Sequence, residues 1–139
     1  MNTTSQEEKK VLILSKEDNC QSIIAQAVLT KYLRSVTSYS AGVNLAKQID
    51  ANAVKLLKEN GLFNNQAPTL LSSLENLHFD LVIVLEETLM NKIPDFLENA
   101  DIISIEYETP NPQKFSEYKT LLKNIQMEIT PIVRMHFEA

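Results

Sequence analysis

Lys10-Val11-Leu12-Ile13-Leu14-Ser15-Lys16-Glu17-Asp18-Asn19-Cys20-Gln21-Ser22 is the stretch whose reading decides the fold. Four branched apolar residues follow a basic pair. A polar segment comes next, and then apolar residues at helical spacing, so the stretch reads as strand, loop and helix. Val11 to Leu14 does not alternate with polar residues, which marks a strand buried on both faces of a parallel sheet. In such sheets, ligands and reactive groups gather in the loops that leave the carboxyl ends of the strands. Ser15 to Ser22 is therefore the first place to seek a site.

The first strand spans Lys9 to Leu14. Ile23, Ile24, Ala27 and Val28 then place a helix across Asn19 to Arg34, with Asp18 or Asn19 suited to cap it. Val36 to Ser40 is β-branched and aromatic and predicts a second strand, closed by Ala41-Gly42. Asp50 to Asn60 is helical, and Gly61 stands where a left-handed helix stop belongs. Thr69 to Leu77 suggests a short helix. Phe79 to Leu85 is the clearest strand, ended by Glu86 and Glu87. Thr88 to Asn99 reads as helical with an interruption near Pro94, and Asp101 to Tyr107 as a fourth strand.

From about Gln113 to Met135 the stripe Phe115, Tyr118, Leu122, Ile125, Ile129, Ile132 and His136 steps by three and four, a helix facing a core. Pro131 should kink or break it locally. Strands alternating with helices imply a three-layer α/β/α domain with four parallel strands and helices on both faces. Residues 1–8 read as a disordered arm and 9–139 as the single domain.

At 139 residues the chain suffices for one domain with a real core. Its apolar fraction of 44% and charged fraction of 22% are those of a soluble globular protein. A net charge of -5 without a basic stripe argues against nucleic acid and anionic membranes as partners. No apolar run reaches the length of a membrane span, and the polar N-terminus lacks a signal-peptide core. One cysteine excludes an internal disulfide and any cysteine-rich metal site. The expectation is a cytoplasmic protein without cofactor or structural metal.

A strand-loop-helix is a ready anion cradle, because loop amides gather at a helix N-terminus. This loop lacks glycine, and Glu17 and Asp18 oppose an anion against the single Lys16, so a solvated structural turn is the plainer reading. Ser15 as a nucleophile needs a base, and no histidine is near in sequence. Cys20 beside a helix start is a candidate thiol, but the neighbouring carboxylates work against a thiolate. Glu86 with Glu17 and Asp18 would suit a hard cation if the fold gathered them. His78 and His136 read as structural.

Together these landmarks resemble the low-molecular-weight protein tyrosine phosphatase family, and most closely its thioredoxin-coupled arsenate reductase branch. The resemblance covers nearly everything from Lys9 onward. The family's first strand runs into a Cys-x5-Arg-Ser loop, typically Val-Leu-Phe-Leu-Cys-Thr-Gly-Asn-Ser-Cys-Arg-Ser. The frame here is Val11-Leu12-Ile13-Leu14-Ser15-Lys16-Glu17-Asp18-Asn19-Cys20-Gln21-Ser22. Tyr39-Ser40-Ala41-Gly42 is similar to the family's Ser-Ala-Gly signature, and Phe79 to Val84 to its third strand. Leu85 to Pro94 has the length of the reductase Leu-Cys-x6-Cys-Pro segment, and Thr109-Pro110-Asn111-Pro112 resembles the Asp-Pro loop.

The resemblance implies a sheet of order 2-1-3-4 and a ligand loop formed by Ser15, Lys16, Glu17, Asp18, Asn19, Cys20, Gln21 and Ser22. It also implies that the reactive groups are replaced. The nucleophile position is Ser15, the anion-gripping arginine Gln21, the loop glycine Glu17, and the general acid Asn111 or Thr109. The two resolving cysteines fall on Glu86 and Ile93. Serine is not a thiolate near neutrality. Glutamine has neither the charge nor the fork of arginine, and asparagine cannot release a proton to a leaving group. The leading expectation is a non-catalytic relative that binds a protein partner. The alternatives are a weak phosphatase or reductase using Ser15, Cys20 or a cation at the acidic residues, and a receiver-like or flavodoxin-like domain, which a fifth strand would favour.

Overall fold

The computed structural model describes residues 8–138. The arm expected over 1–8 falls outside them apart from Glu8, whose carboxylate lies 3.0 Å from the Lys10 ammonium. Four parallel strands form one sheet: β1 (Lys9–Glu17), β2 (Val36–Asn44), β3 (Leu81–Val84) and β4 (Asp101–Ser104). Their order is β2-β1-β3-β4, the order the resemblance implies. No fifth strand occurs among the described residues.

β1 is central, and its alternate side chains build two cores. Val11 and Ile13 point to the face covered by the helices α1 (Gln21–Tyr32), α2 (Ala51–Glu59) and α3 (Phe115–Phe137). Leu12 and Leu14 point to the other face, among Ala41, Leu71, Phe79, Leu89 and Leu97. All four are fully buried, each worth roughly 1.5–3 kcal/mol of apolar transfer. That is why the run reads as uniformly apolar instead of alternating. The second layer of cover is thinner than the first: 3-10 turns at Leu71–Leu74, Glu87–Lys92 and Asp95–Leu97. The short helix expected across Thr69 to Leu77 is the first of these, and the interruption near Pro94 separates the other two.

Several boundaries move for identifiable reasons. β1 continues to Glu17, because Ser15 pairs with Gly42 and Glu17 with Asn44. β2 accordingly runs through Ala41-Gly42 to Asn44 and does not stop at Ser40. Gly42 is there for proximity: a Cβ would lie 2.6 Å from the Asp18 amide nitrogen and 2.9 Å from the Glu17 Cα. Gly61 has φ +67, the left-handed stop its sequence position predicts. β4 ends at Ser104, short of Tyr107.

α3 runs unbroken through Pro131 to Phe137, so no local break occurs there. Its buried stripe includes Leu121 and Val133, with Ile132 half-buried. His136 is at the rim of that stripe, its Nε2 3.3 Å from an Asp101 carboxylate oxygen. His78 is exposed.

Candidate functional site

At the carboxyl edge of the sheet, the ends of β1 and β4 and the start of α1 enclose a cavity of about 340 Å³. Ser15, Lys16, Glu17, Asn19, Cys20 and Gln21 line one side; Asp50, Glu86, Glu106, Tyr107, Thr109 and Pro110 line the rest. The strand extension leaves only Asp18 to Cys20 as the turn before α1. Neither Asp18 nor Asn19 caps that helix. Cys20 holds the cap position and no side chain bonds the first-turn amides there.

Asp18 is occupied elsewhere. It is fully buried, so the picture of a solvated loop charge is wrong for it. Its Oδ1 accepts from Ser22 Oγ at 2.7 Å; its Oδ2 accepts from Ser40 Oγ and from the Thr69 amide, both at 3.0 Å. One carboxyl group thus ties the turn to α1, β2 and the segment preceding the first 3-10 turn. Burial pushes its pKa up, against the opposing pull of those three hydrogen bonds.

The proton inventory agrees with that direction. Ser15 Oγ is 2.8 Å from both the Glu17 carbonyl and Ser22 Oγ. If Ser22 gives its proton to a charged Asp18, Ser15 has one proton for two acceptors. A neutral Asp18 gives its own proton to Ser22, which donates to Ser15, which donates to Glu17, and every bond has its proton. Either way the Ser15 hydroxyl is held inside this chain, with no histidine beside it.

Two further positions that the resemblance singles out, Gln21 and Glu86, are also committed. Gln21 Nε2 donates to the carbonyls of Tyr107 and Glu108, at 3.2 and 3.3 Å. It fastens α1 to the segment after β4. The Lys16 amide donates to Glu86 Oε2 at 2.7 Å, so the protein's own carboxylate takes a loop N–H of the kind an oxyanion would use. Ile93 is half-buried among the second core's residues and does not line the cavity.

Of the two candidate acid positions, Thr109 faces the cavity. Asn111 does not: its amide donates to Glu117 in the first turn of α3, and its side chain accepts from the Gln113 amide in the turn before that helix. Burial, with the Asp50 carboxylate second, pushes the Cys20 thiol up to about 12, which keeps it protonated at neutral pH.

The cation reading needs Glu17, Asp18 and Glu86 together, and the fold separates them. Asp18 does not line the cavity, and Glu86 is bound to Lys16. Among the described residues no group of three or more His, Cys, Asp or Glu side chains is placed to hold a metal.

Asp50, Glu106 and Tyr107 were not visible as site residues in the sequence. Asp50 reads there only as a helix start, a role it does fill by accepting from the Asn52 amide at 2.8 Å. Its second oxygen accepts from Tyr118 Oη at 2.6 Å, and both burial and that bond push the Tyr118 phenol up. Glu106 and Tyr107 follow β4, and the rule that sites form beyond the carboxyl ends of strands was the available signal. The cavity wall carries four carboxylates, Glu17, Asp50, Glu86 and Glu106, against the single ammonium of Lys16.

The chain matches the model of the low molecular weight phosphotyrosine protein phosphatase family over residues 10–128. Solved structures share its fold at low identity. An arsenate reductase from Archaeoglobus fulgidus is 22% identical with TM-score 0.73, the match covering 88% of this chain and 98% of that one. Vibrio vulnificus Wzb, solved in complex with benzylphosphonate, is 22% identical with TM-score 0.74, covering 93% and 99%. The Drosophila arginine phosphatase DARP is 19% identical with TM-score 0.75, covering 92% and 98%. No curated protein sequence matches. The chain belongs to the low molecular weight phosphotyrosine protein phosphatase family. No helix among its described residues is long and apolar enough to cross a membrane.

Proposed function

We propose that this chain is a non-catalytic member of its family, a binding or regulatory module that meets a protein partner in the cytoplasm. The observation that carries the reading is the contact between the Lys16 amide and the Glu86 carboxylate, 2.7 Å long. An oxyanion entering the cavity would have to displace a tethered anion, and would then meet Glu17, Asp50 and Glu106 with no arginine to grip it. Chemistry beyond binding lacks its parts as well. Ser15 has no base, Thr109 is no proton donor near neutrality, and the Cys20 thiol stays protonated.

The test is an assay with an aryl phosphate, run beside a thioredoxin-coupled arsenate assay and a titration with inorganic phosphate followed by amide shifts. The expected result is no turnover above buffer and no phosphate shift at Lys16 to Ser22. Turnover that disappears in Ser15→Ala would overturn the proposal and restore the reading of a weak phosphatase or reductase.

A further inference from the structure

β2 is an edge strand, and part of its outer edge is open. The Gly42 amide donates outward to the Thr69 carbonyl at 2.8 Å, and Gly42 forms an isolated parallel bridge with Leu70. At the other end the Val36 amide donates to Leu33, also outside the sheet. Backbone direction alternates along a strand, so Ser38 and Ser40 present their N–H and C=O groups to the same outer side. The Ser38 carbonyl does accept there, from Gln26 Nε2 at 3.2 Å. The amides of Ser38 and Ser40 have no partner on that side among the described residues.

Beside this open edge lies a groove of about 620 Å³ between α1 and the segment from Gly61 to Thr69. That segment pairs with β2 only at its end. Gln66 ties it to itself, accepting from the Asn64 amide and donating to the Leu62 carbonyl. Among the described residues, the only charged side chains lining the groove are Lys31 and Arg34, both exposed, in a chain whose net charge is -5. The groove shares no lining residue with the acidic cavity.

We propose that this groove takes an extended acidic segment of a partner protein, which adds as a strand to the β2 edge at Ser38 and Ser40 and sets its carboxylates against Lys31 and Arg34. Unpaired strand edges accept peptide main chains in register, and alternate side chains supply selectivity. Ser38 Oγ reaches Thr30 on α1, so side chains on that face of an added strand approach the α1 wall where Lys31 and Arg34 stand. The five residues Val36 to Ser40 span roughly 16 Å at strand rise, which suits a short segment that stops where Thr69 already pairs. Two cations are too few to hold a nucleic acid, whose affinity rests on many phosphate contacts, whereas the main-chain donors match a peptide.

The experiment uses the full chain, 15N-labelled, and a capped hexapeptide of alternating Val and Glu. Binding should shift and protect the Ser38 and Ser40 amides and leave Lys16 and Gln21 in place. Peptide N-methylated at alternate residues should not bind. Lys31→Glu with Arg34→Glu, both on the surface, should weaken binding at least tenfold while leaving the fold's spectrum intact. The proposal is overturned if the peptide shifts the cavity residues instead, or if the Val and Lys version binds equally well. It is also overturned if an eight-nucleotide oligouridine competes at the groove, or if Ser38 and Ser40 are protected without peptide in a concentration-dependent dimer.

Discussion

The two ends of β1 make different use of the same strand. Val11 to Leu14 is fully buried, supplies two cores and pairs with β2 and β3 in uniform register. Ser15 to Glu17 continues the pairing with β2 but turns its groups toward the cavity and the Asp18 network. The apolar half is what packs the sheet into its two cores. The polar half carries groups that bond within the protein: Ser15 Oγ to the Glu17 carbonyl and to Ser22, and the Lys16 amide to Glu86. The difference teaches that this loop is a joint that holds the fold, besides being the wall of a cavity. Substitutions in the joint should therefore carry stability costs that a slack remnant would not show.

Asp18→Ala gives the largest expected effect. It removes a partner from Ser22 Oγ, Ser40 Oγ and the Thr69 amide, at about 1–3 kcal/mol for each buried polar group left unmet. Urea unfolding should lose about 3 kcal/mol, and a loss below 0.5 kcal/mol would reduce the joint to a passive turn. Asp18→Asn tests the proton inventory, because its amide can donate to Ser22 while its oxygen accepts from Ser40 and Thr69. Since Asp18 has a raised pKa in the folded protein, the folded state keeps a proton that the unfolded chain releases. Stability must then fall as pH rises from roughly 4 through the folded value. The asparagine variant should lack that fall and match or exceed the parent near neutrality; a pH profile parallel to the parent's would place the titration elsewhere.

Gly42→Ala should come next, at about 1–3 kcal/mol, because its Cβ would press on the Asp18 amide from 2.6 Å and backbone must shift. A neutral result in thermal unfolding would mean that the turn yields freely. Cys20→Ser should change least, within about 1 kcal/mol. In the parent, a disulfide reagent should label Cys20 near neutrality no faster than the chain opens, since burial holds the thiol protonated. Rapid labelling of the folded protein would reveal a reactive thiol and sharpen the case for residual chemistry at this end of β1.

The existence of four strands was legible in the residues, and for Val11 to Leu14 and Leu81 to Val84 the reason is that burial on both faces leaves an unbroken apolar run; the sheet order came from the family resemblance. Less legible was the extent of β1 and β2. Ser15-Lys16-Glu17 reads as loop by polarity, yet pairing with Gly42 and Asn44 makes it strand. Polarity reports exposure to the cavity, while strand pairing is a main-chain property. Asp18 was misread for a related reason: a lone carboxylate in a polar turn looks solvated until Ser22, Ser40 and Thr69, distant in sequence, converge on it.

Sequence alone determined which family the chain resembles, and that Ser15, Gln21 and Glu86 carry neither a thiol nor a guanidinium. Those are identities at fixed positions, and a thiolate or guanidinium cannot be supplied by folding. Tertiary structure alone decided what the replacements do. It brought Glu86 to the Lys16 amide, chose Thr109 over Asn111 for the cavity wall, buried Asp18 under three donors, and left the Ser38 and Ser40 edge open beside Lys31 and Arg34. Each of these depends on the distance and direction between groups far apart in the chain, which local residue type does not encode.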